Sequence, residues 1–245
     1  YKRQLQASLS EIVSCMGAMK DGDLMTSFVD FVGISNGEIL DEEFVETLLD
    51  ELGEALDTIE EPEEPRLPFE TLTGTWTYDI SNETWNRTKT PSNKIIVEFP
   101  SDKNQTQNNV EASLSDYVDV QYTFDMEDVW LPKSFELSVK KNGIELAKMD
   151  LNNLSLEESN DALIPTDLDG SLFLAPFTFS MSGERTTTTE FTAEMTLNDG
   201  TGCGYGVEAT LKLKNDDYEN LKNEDFISIE GYMEHNNCLL YTSDA

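Results

Sequence analysis

The 245-residue chain is 38% hydrophobic, which supplies a packed core for one large domain or two small ones. Its 16 Lys and Arg stand against 49 Asp and Glu, a formal net charge of -33, and such a surface repels nucleic acid and anionic lipid headgroups. No run of 18 apolar residues occurs, so no transmembrane helix is expected, and Tyr1 opens no charged-then-apolar leader.

Residues 1–60 carry helical spacing. Leu5, Leu9, Ile12, Val13 and Met16 share one face of a first helix ending near Lys20 and Gly22. Asp23 caps a short second helix bearing Leu24, Phe28, Val29, Phe31 and Val32, with Gly33 as its terminator. Asp41 caps a third, whose stripe is Phe44, Val45, Leu48, Leu49, Leu52, Leu56 and Ile59. Glu42, Glu46, Asp50 and Glu54 repel one another at i,i+4 spacing, at about 0.2–0.5 kcal/mol per pair. Burial of the stripe at roughly 1.5 kcal/mol or more per side chain outweighs that repulsion. Sixty residues make a marginal domain, so this segment is expected to dock on the remainder of the chain. The prolines of 61–69 stop the helix and form an extended Pro/Glu linker.

From residue 70 to 245 the period changes to two. Leu72, Trp76, Tyr78 and Ile80 alternate with threonines; Ile95, Val97 and Phe99, then Val118, Val120, Tyr122 and Phe124, then Phe135, Leu137 and Val139 do the same. Later sets are Phe177, Phe179 and Met181; Phe191, Ala193, Met195 and Leu197; Val207, Ala209, Leu211 and Leu213; and Ile227, Ile229 and Met233. Each marks a strand buried on one face and wet on the other. Asn142-Gly143 fits a type I′ turn. The apolar set after it shifts to Ala147, Met149 and Leu151, which predicts a β-bulge near Leu146 and Ala147. The expected fold is therefore α+β: about three N-terminal helices, then an antiparallel β-sandwich or β-barrel of eight to ten strands.

Chemistry is sparse. The single histidine, His235, has no Gly-x-Ser-x-Gly nucleophile to serve, and abundant carboxylates remove any diagnostic value from a pair of them. No catalytic residue, metal site or cofactor is assigned. Asp167-Leu168-Asp169-Gly170 has a calcium-loop look, but the EF-hand frame would place prolines at both ends; only a looser site using Asp161, Asp167 or Asp169 stays open. The glycine-rich 198–206 lacks a following Lys and reads as a β-turn rather than a phosphate cradle. Cys15, Cys203 and Cys238 do not form a zinc pattern, and a Cys203–Cys238 disulfide is left open. Four Asn-x-Ser/Thr sequons begin at Asn82, Asn86, Asn104 and Asn153. Tyr78, Trp85 and Trp130 are the candidate ligand-binding residues, since aromatic rings at loop ends stack on sugars or apolar molecules; rings of this kind more often plug a core.

Gly74-Thr75-Trp76 resembles the Gly-x-Trp that opens the first strand of lipocalins and of lipocalin-like domains in bacterial surface lipoproteins. The resemblance implies a structural role for Gly74 and for Trp76, the residue that closes a barrel base in that family. Ser115-Asp116-Tyr117 is the counterpart of the family's Thr-Asp-Tyr but lies closer to the first motif than the family pattern has it. The late arginine that packs on the tryptophan has no counterpart, because Arg185 is the last arginine. More broadly, an acidic, Thr- and Asn-rich β domain behind a helical segment and a Pro/Glu linker looks like secreted or outer-surface lipoproteins of Gram-negative bacteria. That implies a periplasmic or outer-surface location and a lipid-anchored cysteine upstream of Tyr1. The resulting expectation is a non-enzymatic extracytoplasmic protein binding a ligand or protein partner. A lipocalin-like carrier of an apolar small molecule and a carbohydrate-binding or adhesion module stand as alternatives.

Overall fold

The computed structural model describes residues 47–48, 50–53, 66–89, 92–124, 127–159, 162–200, 204–218, 222, 225–235 and 238–244. The first two expected helices lie outside these residues, as do Cys15, Cys203 and Asp161. Of the third, residues 47–48 and 50–53 are helical, with Leu48 and Leu52 buried. No described helix is long and apolar enough to cross a membrane.

The rest is dominated by strands. A helical turn, Phe69–Leu72, precedes β1 (Gly74–Asp79), β2 (Thr84–Thr88), β3 (Lys94–Phe99), β4 (Val110–Phe124), β5 (Glu127–Lys141) and β6 (Ile144–Ser159). Then come β7 (Ala162–Leu174), β8 (Phe177–Thr187), β9 (Glu190–Asn198), β10 (Gly204–Leu213), β11 (Phe226–His235) and β12 (Cys238–Asp244). Among the described residues all twelve belong to one sheet, in the order β12-β11-β10-β9-β8-β7-β6-β5-β4-β3-β1-β2. The sheet is open. Its edges, β2 and β12, are not paired to each other, so the expected β-sandwich or β-barrel of eight to ten strands is corrected to a single open sheet of twelve among the described residues. The edge strand β2 is only five residues long and carries Asn86 and Arg87, features that discourage strand addition.

A second correction concerns direction. From β3 onward each strand pairs antiparallel with the next, but β1 pairs antiparallel with β2 and parallel with β3. The chain leaving β2 must therefore pass the start of β1 to reach its other side. Gly74 is the residue that this passage requires. Its φ is +127°, and a Cβ there would lie 2.6 Å from the Thr88 carbonyl oxygen and 3.4 Å from Lys89 Cα. The inward space at Gly74 thus holds neighbouring backbone.

The central hairpin agrees closely with its sequence. Asn142 and Gly143 have φ of 54° and 76°, the left-handed pair that a type I′ turn needs. Leu137 pairs with Met149 and Val139 with Ala147, whereas Lys140 pairs with Glu145, leaving Leu146 as the extra residue of the expected bulge.

Strands β2, β7 and β12 escaped the periodicity reading. In β7 the Asp167-Leu168-Asp169 run is strand, with Asp167 opposite Ser155 and Glu184, and Asp169 opposite Asn153 and Ser182. Pro165 sits at a register shift, opposite Leu156, a position that tolerates a missing N–H.

Paired residues in a ladder share a face. One face is continuously apolar: Ile95, Leu114, Leu137, Met149, Leu172, Phe179 and Leu197 succeed one another from β3 to β9. Beside them run Val97, Ala112, Val139 and Ala147 on one flank, and Met181, Met195 and Val207 on the other. The opposite face is polar, with Lys148 between Glu136 and Asp150 at 2.9 and 3.0 Å. Those two carboxylates, Glu136 first, raise the Lys148 pKa above its ordinary value.

Candidate functional site

The aromatic residues singled out in the sequence fall into two groups. Trp76 and Tyr78, alternate residues of β1, both lie on the apolar face, and each is 5% exposed. The Trp76 indole N–H donates to the Leu72 carbonyl at 3.1 Å, so the helical turn before β1 satisfies it. Arg87 on β2, directly opposite Trp76, lays its guanidinium 5.1 Å from the indole ring and donates to the carbonyls of Thr71 and Thr73. Nothing in the one-dimensional pattern pairs residues 76 and 87; the hairpin register does.

Trp85 lies in β2 opposite Tyr78, with the two rings edge-on at 5.3 Å. Its indole N–H donates to the Leu48 carbonyl at 3.1 Å. Leu48, Tyr78, Phe99 and Val110 form the buried cluster, packed by Ile80, Trp85, Val97, Ala112 and Val139. The structure therefore places Tyr78 and Trp85 in core packing with a helical residue rather than at an open stacking surface. Burial raises the Tyr78 pKa, reinforced by the Glu51 carboxylate beside it.

Trp130 is a strand residue of β5, opposite Gln121, and not a loop residue. Its ring carries the Arg66 guanidinium at 4.4 Å. Arg66 also makes two 2.8 Å bonds to Asp119, one from Nε and one from an Nη, whose carboxylate side chain is 3% exposed. Beside this pair, Phe69 stacks on Tyr117 at 5.3 Å. Burial and the Asp119 charge raise the Tyr117 pKa, partly opposed by Arg66. Register shifts at Ser115–Val118 and Val118–Asp119, with Asp116 at φ 53°, break the ladder where the linker crosses. An open cleft of about 440 Å³ results, lined by Arg66, Leu67, Phe69, Tyr117, Val118 and Asp119. Its walls are the end of the linker and the bulged part of β4, not the alternating inward residues.

Arg66, Asp119, Phe69 and Tyr117 were not read from the sequence as partners. A signal existed for one of them: Arg66 is the first basic residue after Lys20 and lies in the Pro/Glu linker. Substituting Arg66 by alanine is expected to lower unfolding stability by about 1–3 kcal/mol, because a buried carboxylate loses its bidentate partner while the exposed guanidinium limits the loss. Removing Asp119 as well should restore part of it. Chemical denaturation of the single and double variants measures this, and a neutral Arg66→Ala would show that the clasp does not hold the linker.

The third region is the exposed part of the apolar face. Leu137, Met149, Met181, Met195 and Val207 are 39%, 42%, 44%, 62% and 43% exposed, one on each of β5, β6, β8, β9 and β10. Isolated surface hydrophobics are ordinary; a contiguous set on one face is not.

Among the described residues no three His, Cys, Asp or Glu side chains converge to hold a metal ion. His235 ends β11, its backbone paired with Tyr205 and Cys238. Asn153, the start of one sequon, donates through Nδ2 to Asp167 at 2.9 Å. Compared with known proteins, the chain matches no family model, no curated protein and no solved structure.

Proposed function

We propose that the protein is a non-enzymatic extracytoplasmic binding protein whose apolar sheet face engages a ligand or a partner protein. The observation that carries this reading is the half-exposed set Leu137, Met149, Met181, Met195 and Val207. Water leaves such a surface favourably, at about 25 cal/mol per Å² of apolar area covered. Methionine suits the role because its unbranched, polarizable side chain adapts to varied shapes. The acidic surface elsewhere keeps the chain dispersed despite that face.

A lipocalin-like carrier of an apolar small molecule has less support, since such a carrier needs a closed barrel and the sheet has two free edges, β2 and β12, among the described residues. A sugar-stacking module has less support, since the rings of Trp85 and Trp130 already have protein neighbours.

Titration with N-phenyl-1-naphthylamine, a neutral apolar fluorophore that the -33 charge does not repel, tests the face. Saturable enhancement is expected in the wild type, weakened on the order of tenfold by Met195→Asp, about 1.4 kcal/mol of binding energy. Equal binding by both proteins, or none by either, overturns the reading. Native mass spectrometry of gently purified protein then shows whether a small molecule accompanies it.

A further inference from the structure

We propose that Asp119 and Trp130 form a receptor for an arginine side chain, that the chain's own Arg66 fills it, and that an arginine-bearing peptide of a partner binds there by displacing Arg66. The sheet supplies the receptor. Asp119 pairs with Pro132 and Gln121 with Trp130, so Asp119 and Trp130 stand on one face of the adjacent strands β4 and β5. The Asp119 side chain is 3% exposed. A carboxylate so buried needs a cation with well-placed donors, and the guanidinium fork serves both of its oxygens at once. The indole ring beside it attracts the same flat cation through its negative face. Carboxylate and ring together favour arginine over the point charge of a lysine.

The occupant comes from outside the sheet. Arg66 precedes Asp119 by 53 residues, and its Nε and one Nη each donate at 2.8 Å, to different oxygens of the carboxylate. Its Cζ lies 4.4 Å from the centre of the Trp130 ring. The Arg66 side chain is nevertheless 47% exposed. A buried receptor holding a half-exposed cation is entered from the surface, as a pocket is entered by a side chain of another molecule. The Trp130 indole N–H is buried without an acceptor among the described residues, so this occupant serves the receptor only in part.

Beside the receptor there is room for the residues that flank a partner's arginine. The open cleft of about 440 Å³ runs along Arg66, Tyr117, Val118 and Asp119, and the stacked rings of Phe69 and Tyr117 form a wall on which a peptide can lie. Ser115 pairs with Glu136 and Val118 with Ser134, which leaves Asp116 and Tyr117 outside the β4–β5 pairing at this point. Charge selects the same class of partner, since a net charge of -33 concentrates cationic peptides near the surface and repels anionic ones. This site goes beyond the proposed role of the apolar face: the fluorophore reads that face, arginine binding is read without it, and each stands or fails alone.

Calorimetric titration of the full chain with the peptide acetyl-Gly-Arg-Gly-amide tests the proposal. In the wild type Arg66 competes at an effective concentration on the order of millimolar, so binding is weak. Arg66→Ala vacates the receptor, and its affinity for the peptide is expected to rise on the order of tenfold or more. Acetyl-Gly-Lys-Gly-amide carries the same charge without the fork and should bind this variant on the order of tenfold more weakly. Adding Asp119→Asn should abolish binding. If Arg66→Ala is poorly folded, the arginine peptide should move its urea midpoint toward the wild-type value, and Arg66→Lys supplies a second protein in which the fork is missing but the charge is kept. In the wild type, excess arginine peptide should shift the Arg66 Nε–H resonance in heteronuclear NMR spectra. No gain in affinity or midpoint in either variant, equal affinity for the lysine peptide, binding that survives Asp119→Asn, or an Arg66 resonance indifferent to the peptide would each overturn the proposal.

Discussion

Replacing Trp76 by alanine is expected to lower the unfolding free energy by about 3–5 kcal/mol, the range for truncating a buried aromatic side chain. Three losses act together. The ring gives up its contacts on the apolar face, where it is 5% exposed. The Leu72 carbonyl loses the indole N–H that bonds to it at 3.1 Å. Arg87 loses the ring beneath its guanidinium, and its Nε is already buried without a hydrogen-bond partner. Against a typical total stability of about 5–15 kcal/mol, such a loss threatens the folded state. Far-ultraviolet circular dichroism in a urea series measures it without relying on tryptophan fluorescence. Trp76→Phe separates the contributions, retaining most of the area while removing the N–H bond, and should cost about 1 kcal/mol for that bond together with a smaller packing loss. A Trp76→Ala protein within about 1 kcal/mol of wild type would show that this region does not hold the fold.

Gly74→Ala is the second large effect, with an expected loss of about 2–4 kcal/mol from backbone strain combined with steric conflict. A φ of +127° lies in territory that L side chains rarely enter, and the new Cβ would stand 2.6 Å from the Thr88 carbonyl oxygen. The conflicting atom is backbone, so no rotamer change relieves it. Relief requires moving the chain that leaves β2, which disturbs the β1–β2 pairing of Thr75 with Thr88 and Trp76 with Arg87. The same denaturation assay reads the result. A change below about 0.5 kcal/mol, ordinary for a harmless surface substitution, would mean that the crossing does not depend on Gly74. Gly143 provides a contrast: it also has positive φ, at 76°, but open space lies around it.

Much of the local structure is legible in the sequence. Alternation places Trp76 and Tyr78 inward because a strand's side chains point to opposite faces at every step. Asn142-Gly143 and the shift from Val139 to Ala147 carry the turn and the bulge, since both are properties of a short stretch of backbone. The strands that escape are equally instructive. In β2, Asn86 and Arg87 dilute a five-residue pattern, and in β7 the aspartates are strand residues on the polar face that mimic a turn.

The functional candidates are less legible. Trp85 and Trp130 are recognisable as important rings, yet what touches them comes from far along the chain, Leu48 for one and Arg66 for the other. Aromatic composition reports that a ring needs a neighbour, never which neighbour.

The sequence by itself determined the two-residue period from residue 70 onward, the acidity of the surface and the tight hairpin at 142–143. These arise from local sterics and from partition of side chains between water and core, which act residue by residue. It did not determine which apolar sets are covered: Leu137, Met181, Met195, Val207 and Ile227, all read as inward, are exposed. Only the tertiary structure decided that the sheet stays open, that β1 runs parallel to β3, that Arg87 covers Trp76, and that one apolar face runs unbroken from β3 to β10. Those outcomes depend on which strand pairs with which. Pairing is a choice among distant segments with similar alternation, and it is made by the summed fit of the whole sheet.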